Sequence, residues 1–110
     1  MTLIAVVLVF VASVCSAGDI YVVDYPGQAD AKVYVVDYWS QADLCVYVVD
    51  YRSQAKGADW LWHYVFYESQ ADAKIYFVEY VGQADIKIYF VDYWSQAGWR
   101  ESNKFMGRLR

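Results

Sequence analysis

The sequence predicts an all-β protein, a six-stranded antiparallel meander that closes into a small barrel or folds as a 3+3 sandwich. Three observations favour this class. A 13-residue unit, first seen as IYVVDYPGQADAK at residues 20–32, occurs six times. Its Gln-Ala pairs follow one another at 13, 13, 16, 13 and 13 residues, and a fixed period of this kind decides the architecture. Each unit is β-branched and aromatic in its first half and small or polar in its second, as expected of a strand and its connection.

Numbering the unit from 1 to 13 gives each residue a place on the predicted strand or its loop. Position 4 is Val and position 6 is Tyr in all six copies. Position 2 is Tyr except at His63, and position 5 is acidic except at Phe66. A packed interior restrains side-chain volume more tightly than a surface does. We therefore expect Val at position 4 and Tyr at position 6 to face inward.

The antiparallel arrangement is preferred over a narrow parallel β-solenoid, which is the alternative architecture for such a repeat. With a four-residue loop, a 13-residue period keeps each repeat position on one face of the sheet. Position 11 is Asp in four copies, and Asp tolerates the left-handed conformation that often ends such a loop. A solenoid would also stack Asp24 on Asp37 on Asp50 at a spacing of about 4.8 Å, which is unfavourable for like charges.

The repeat is interrupted once, near its midpoint. Three extra residues around Asp59, Trp60 and Leu61 separate the third copy from the fourth. Each copy lies 42 residues from its counterpart three copies later. We therefore expect two three-strand halves related by an approximate two-fold axis, joined by a longer loop.

Residues 1–17 have the pattern of a cleaved signal peptide, an apolar run LIAVVLVFVA followed by small residues up to Ala17. The run is shorter than the roughly 20 residues that span a bilayer. We expect a secreted, extracellular protein with no membrane attachment after cleavage. The mature chain would be a six-copy β-repeat domain at 18–99 and a basic tail at 100–110. The tail, with four bases and one acid, is expected to be a solvated, frayed end or to dock on the acidic body.

Cleavage would remove Cys15 and leave Cys45 as the single cysteine, so an intramolecular disulfide would be impossible. Three other copies carry Lys at the same repeat position. Cys45 is therefore interpreted as drift at a surface position, with an intermolecular disulfide as the alternative.

Repeats of the form (I/V)Y(F/V)VDYxSQADxK that finish in SQAGWR resemble a family of small secreted proteins of unknown function found in bacteria and insects. The resemblance covers residue 20 to about residue 100, and His63 and Phe66 depart from the pattern. It implies secretion and the repeat fold, and no activity.

The residues offer little for catalysis, metal binding or nucleic-acid binding. His63 is the single histidine, stands at a Tyr position, and is interpreted as a strand residue. The acidic positions 5 and 11 could bind Ca²⁺, but they are interpreted as a soluble outer face and a loop closure. Phosphate loops and Cys/His metal spacings are lacking, and an acidic body disfavours nucleic acid. We expect no enzyme activity, no catalytic residue, no metal and no cofactor.

The aromatic content is the one functional clue, because exposed aromatic rings stack on sugars or anchor a protein partner. The expected role is structural or binding, with an unidentified partner. A glycan or small-molecule binder is the alternative, and a hydrolase a remote one. Self-association of the protein is a further alternative. The candidate binding residues at loop or loop-adjacent positions are Trp39, Trp60, Trp62, Trp94 and Trp99. The alternative interpretation of these five tryptophans is a packing role, in which they cover the ends of a barrel.

Overall fold

The computed structural model describes residues 18–55 and 57–109, so the predicted signal peptide lies outside the described residues. Each repeat forms one short strand, and a single turn of 3₁₀ helix (η) follows in its connection. The strands are β1 (Asp19–Val22), β2 (Ala31–Val35), β3 (Leu44–Val48), β4 (Leu61–Tyr64), β5 (Ala73–Phe77), β6 (Ile86–Phe90) and β7 (Gly98–Trp99). The 3₁₀ turns are η1 (Pro26–Gln28), η2 (Trp39–Gln41), η3 (Arg52–Gln54), η4 (Glu68–Gln70), η5 (Val81–Gln83) and η6 (Trp94–Gln96).

Strands β1 to β6 close into a barrel in which every neighbouring pair is parallel. The order around the barrel is β1-β5-β2-β6-β3-β4, and β4 returns to β1. The two-residue β7 pairs antiparallel with the start of β3. The predicted all-β barrel is therefore correct, whereas the predicted antiparallel meander is wrong.

The chain travels around this barrel twice. The first circuit lays down β1, β2 and β3, and the second places β4, β5 and β6 in the gaps. Most connections step two places around the ring, but a third such step would return the chain to the place of β1. The step from β3 to β4 is a single place instead, and it coincides with the extra residues at Asp59, Trp60 and Leu61. The two halves foreseen from the repeat therefore exist, but they interleave.

The strands are strongly staggered. Ile20 pairs with Ala73, and Ile75 pairs with Ala31, so repeat position 1 always faces position 12 of the next strand. All six neighbouring pairs share this two-residue shift, which accumulates to a shear of 12 residues around the ring. Because of this stagger, Asp24 lies beside Phe77 of the neighbouring strand β5 and not beside another carboxylate of the same repeat position. The charge argument against parallel pairing failed because it assumed an unstaggered stack.

Positions 12 and 1 fill the interior of the barrel. Ten of these side chains are at most 1% exposed: Ile20, Ala31, Val33, Leu44, Val46, Trp62, Ala73, Ile75, Ile86 and Ile88. A large shear widens a six-stranded barrel, which makes room for an indole ring at Trp62. The predicted inward face is wrong, because the six tyrosines of position 6 are 66–69% exposed. Val at position 4 lies on the outer face beneath a connection, where Val23 is 5% exposed.

Each connection returns along the outside of the barrel. Turn η1 lies against β5, η5 against β2, η2 against β6, η6 against β3, η3 against β4 and η4 against β1. The Asp at position 11 then fastens the start of a neighbouring strand. The Asp85 carboxylate accepts the Lys32 N–H at 2.8 Å, and the Asp85 N–H donates to the Lys32 carbonyl at 2.7 Å. Asp30, Asp43 and Asp72 make the same paired bonds with Lys74, Lys87 and Asp19.

The C-terminal segment covers the end of the barrel at which the strands begin. Leu109 is fully buried and Phe105 is 8% exposed, and both join the interior cluster. The buried Asp59 holds them there, because its carboxylate accepts hydrogen bonds from Trp99 Nε1 and from the backbone N–H groups of Gly107 and Leu109. The segment is therefore docked on the body, and the expectation of a frayed, solvated end is wrong.

Candidate functional site

The connections decide which side chains the protein presents to solvent. Turns η5, η2 and η6 cross three adjacent strands, β2, β6 and β3. In each turn the residue at position 6 immediately precedes the 3₁₀ helix, and position 7 begins it. We name these six side chains the aromatic strip: Tyr38, Trp39, Tyr80, Val81, Tyr93 and Trp94. All of them are 54–69% exposed, and soluble monomers rarely expose large contiguous apolar patches.

The aromatic strip contains two tryptophans, Trp39 on its central turn and Trp94 on a flanking turn. Trp39 is 59% exposed and Trp94 is 69% exposed, and they begin adjacent turns. The guanidinium carbon of Arg100 lies 4.5 Å from the centroid of the Trp39 ring. The same guanidinium donates to the carbonyls of Ser40 at 3.1 Å and Ala42 at 3.0 Å. The Trp39 ring is therefore held by a cation–π contact that is itself anchored to the backbone.

Shallow grooves flank turns η2 and η6, with Tyr at position 2 and Val at position 4 among the lining residues. The groove between η2 and η6 has a volume of about 410 Å³, and Trp39, Tyr89, Asp92 and Gln96 are among its lining residues. The groove between η6 and η3 has a volume of about 330 Å³ and is lined by Tyr47, Val49, Gln54, Leu61 and Trp94. On the other side of η2, a larger groove of about 790 Å³ reaches Lys87 and Arg100. Each tryptophan thus borders a groove that also offers polar side chains.

The other three tryptophans named from the sequence do not join this surface. Trp62 is fully buried in the barrel, where its ring contacts Tyr64 and Phe90 edge to face. Trp60 and Trp99 are partly buried against the interior cluster. The structure therefore brings Trp39 and Trp94 to one exposed surface and places Trp60, Trp62 and Trp99 in the packing of the barrel.

Cys45 lies under the groove between η2 and η6. It is 4% exposed and packs with Val36 and Ala42. Burial raises the pKa of its thiol, an effect that the nearby Arg100 charge partly opposes. The position assumed to be a surface site is therefore a buried one, where the reactive thiolate is disfavoured.

The contacts between turns η3 and η4 differ in chemistry from those between the other turns. Between η3 and η4, position 13 is Asp19 and position 2 is His63, where the other copies favour Lys and Tyr. The Asp19 carboxylate is fully buried, accepts two contacts of 2.6 Å from Arg52, and lies 3.0 Å from His63 Nδ1. This hydrogen bonding raises the pKa of the Arg52 guanidinium. The triad satisfies a buried charge, and the described contacts supply no hydroxyl or thiol nucleophile to the His63 ring.

Sequence reasoning noted His63 as a departure from the repeat but missed its partners Asp19 and Arg52. The available signal was that Asp19 is the one acidic residue at position 13. Arg100 was assigned to the basic tail, although its guanidinium packs on the Trp39 ring. In both cases the missing information was which loop passes over which strand.

Across the described ranges 18–55 and 57–109, the structure contains no cluster of three or more His, Cys, Asp or Glu side chains suited to a metal ion. The same part of the chain contains no helix long and apolar enough to cross a membrane.

Comparison with known protein families identifies a match that covers most of the chain. Residues 17–100 match the family described as the 7(1) septoil knot domain. The two interleaved circuits around the barrel agree with a chain that is knotted by repeated winding. No curated protein and no solved structure shows significant similarity to this chain.

Proposed function

We propose, from the premise that this chain belongs to the septoil knot family, that it is a secreted, non-enzymatic binding protein whose aromatic strip holds a glycan. The observation that carries the proposal is the exposure of Trp39 and Trp94 on adjacent turns. Sugar rings present an apolar face of C–H groups, and a flat aromatic side chain is its natural counterpart.

The surroundings of the two rings support this ligand class. Asp92 and Gln96 line the groove beside Trp39, and Gln54 lines the groove beside Trp94. Carboxylate and amide groups can accept and donate hydrogen bonds to sugar hydroxyls. Because the two turns are equivalent units of one repeat, they offer two similar subsites side by side. This arrangement suits an oligosaccharide that lies across the turns.

Rigidity also supports a binding role. Arg100 holds the Trp39 ring through its cation–π contact and two backbone hydrogen bonds. A ring that is already ordered loses less conformational entropy when a ligand binds. We therefore expect Arg100→Ala to weaken binding although Arg100 is not one of the residues of the aromatic strip.

The experiment is a binding assay of the purified protein on a glycan array and on insoluble chitin and cellulose. Trp39→Ala and Trp94→Ala should each weaken binding about tenfold, equivalent to about 1.4 kcal/mol. Tyr67→Ala is the matched control, because Tyr67 is 68% exposed at the same repeat position as the strip tyrosines but follows β4, outside the strip. Absence of any glycan binding, or equal losses for Tyr67→Ala and Trp94→Ala, would contradict the proposal.

Secretion is tested separately by the mass of the protein in the culture medium. Cleavage after Ala17 would leave a chain beginning at Gly18. A product that keeps residues 1–17 would remove this part of the proposal without affecting the glycan assay.

A further inference from the structure

The end of the barrel at which the strands finish is apolar at its centre. Position 3 supplies one inward side chain from each strand, in the order Val22, Phe77, Val35, Phe90, Val48 and Tyr64 around the ring. We name these six residues the terminal ring. Val22, Val35, Val48 and Phe90 are 36–42% exposed although they continue the interior of the barrel. At this end, therefore, the core itself reaches solvent.

A band of carboxylates surrounds the terminal ring. Position 5 follows each strand after one residue, and five of its six side chains are acidic and exposed: Asp24, Asp37, Asp50, Glu79 and Asp92. We name these five the acidic rim. The rest of the chain has eight acids and nine bases, so the rim carries a formal charge of −5 and the remainder +1. An apolar centre inside a negative rim suits an apolar side chain flanked by basic residues.

The opposite end of the same molecule presents such a group. The turn at residues 104–108, which we name the tail turn, is anchored by the buried Phe105 and by the bonds of Asp59 to the backbone N–H groups of Gly107 and Leu109. Met106 is 47% exposed, and Lys104 and Arg108 on either side of it are also exposed. The Asp residues of position 11 lie near this end, but their carboxylates already accept backbone hydrogen bonds.

We propose that the terminal ring and acidic rim of one copy receive the tail turn of a second copy, so that molecules associate end to end. Met106 would enter the apolar ring, and Lys104 and Arg108 would face the rim. Because the two contacting surfaces differ, the contact is heterologous and each molecule keeps one free end of each kind, which allows a chain of copies to grow.

The contact is small. Six strands with this stagger enclose a ring roughly 16 Å across. A contact of this width buries less surface than the roughly 800 Å² per partner of a standard interface. The association should therefore be reversible and dependent on concentration. It should also weaken as salt rises, since the Debye length falls from about 30 Å at 0.01 M to about 3 Å at 1 M salt.

Sedimentation velocity of the purified protein tests the proposal over a concentration series in 20 mM and 500 mM NaCl. The weight-average sedimentation coefficient should rise with concentration in low salt, and the association constant should fall at least tenfold in high salt. A rim variant with Asp24→Lys and Glu79→Lys, and a tail variant with Lys104→Glu and Met106→Asp, should each lose at least tenfold. Glu68→Lys, an exposed carboxylate on the side of the barrel, is the control for charge and should associate like wild type.

Mixing the two variants gives the decisive observation. The rim variant keeps a working tail turn and the tail variant keeps a working rim, so an equimolar mixture should form a dimer and nothing larger. A strictly monomeric wild type in low salt would overturn the proposal. So would association that survives both variants and disappears with Trp39→Ala, since the aromatic strip would then be the contact. A monomer that binds an unrelated basic peptide at the rim would also overturn it, because the occupant would be another protein.

Discussion

Asp59→Ala is the substitution that tests how the C-terminal segment closes the barrel. Asp59 is 3% exposed, and its carboxylate accepts three hydrogen bonds, from Trp99 Nε1 at 2.9 Å and from the N–H groups of Gly107 and Leu109. A hydrogen bond to a charged group contributes about 1.5–3 kcal/mol. The three bonds are not additive, because the segment can detach and return its donors to water.

The free energy with which the segment docks sets the upper limit of this loss. Burial of Leu109 and Phe105 contributes about 1.5–3 kcal/mol for each side chain, to which the bonds of Asp59 add. We therefore expect Asp59→Ala to lower the free energy of unfolding by about 3–5 kcal/mol. Equilibrium urea unfolding, followed by tryptophan fluorescence until the signal stops changing, measures this loss.

Two controls separate the closure from a general effect of removing a carboxylate. Asp50→Ala, at an exposed position, should change stability by no more than about 0.5 kcal/mol. In a chain that ends at Arg100, Asp59→Ala should cost about 1–2 kcal/mol, because only the bond from Trp99 remains. A loss below about 1 kcal/mol in the full chain, or the same loss in both backgrounds, would refute the reasoning.

Three further predictions concern which strand face is inward, the Asp bonds that join neighbouring strands, and the dependence of stability on pH. Ile75→Asp should cost several kcal/mol and unfold the barrel, whereas Tyr80→Asp should change the urea midpoint little; the reverse result would restore the inward face inferred from the repeat. Asp85→Ala should cost about 1–2 kcal/mol through its lost bond to a neighbouring strand, and Asp92→Ala should cost less than half of that in the same assay. Burial raises the pKa of Tyr64 to about 12, so the folded state holds this proton more tightly than the unfolded state does. Stability should be complete below pH 10 and fall as pH rises towards 12, and Tyr64→Phe should show a smaller fall when urea midpoints are compared across that range.

The candidate site was only partly predictable. The repeat placed Trp39 and Trp94 at the same position of two units, beside a connection, and both are exposed. The same reasoning grouped them with Trp62, because an indole at position 1 of a strand is equally consistent with either face until the neighbouring strands are known. The exposure of Tyr80, Val81 and their neighbours as one strip depends on η5, η2 and η6 crossing adjacent strands, although they come from different halves of the chain.

The sequence by itself determined that each repeat forms one strand and that the chain has two halves, because β-branched residues, Tyr and the Gln-Ala connection repeat with a fixed local pattern. The length of the strands was not determined in this way, since they end at position 3 and the predicted loop covered only positions 8–11. Only the tertiary structure decided the direction of pairing and the inward face. A connection from position 4 to position 11 is short for a parallel crossover, which usually needs a dozen residues or more. It suffices here because the barrel strands have only four or five residues and the stagger tilts them strongly, so that the return path is short. At five of the six strand pairs, the stagger and the choice of neighbour from the other circuit depend on contacts between residues more than 40 positions apart, which a local repeat does not encode.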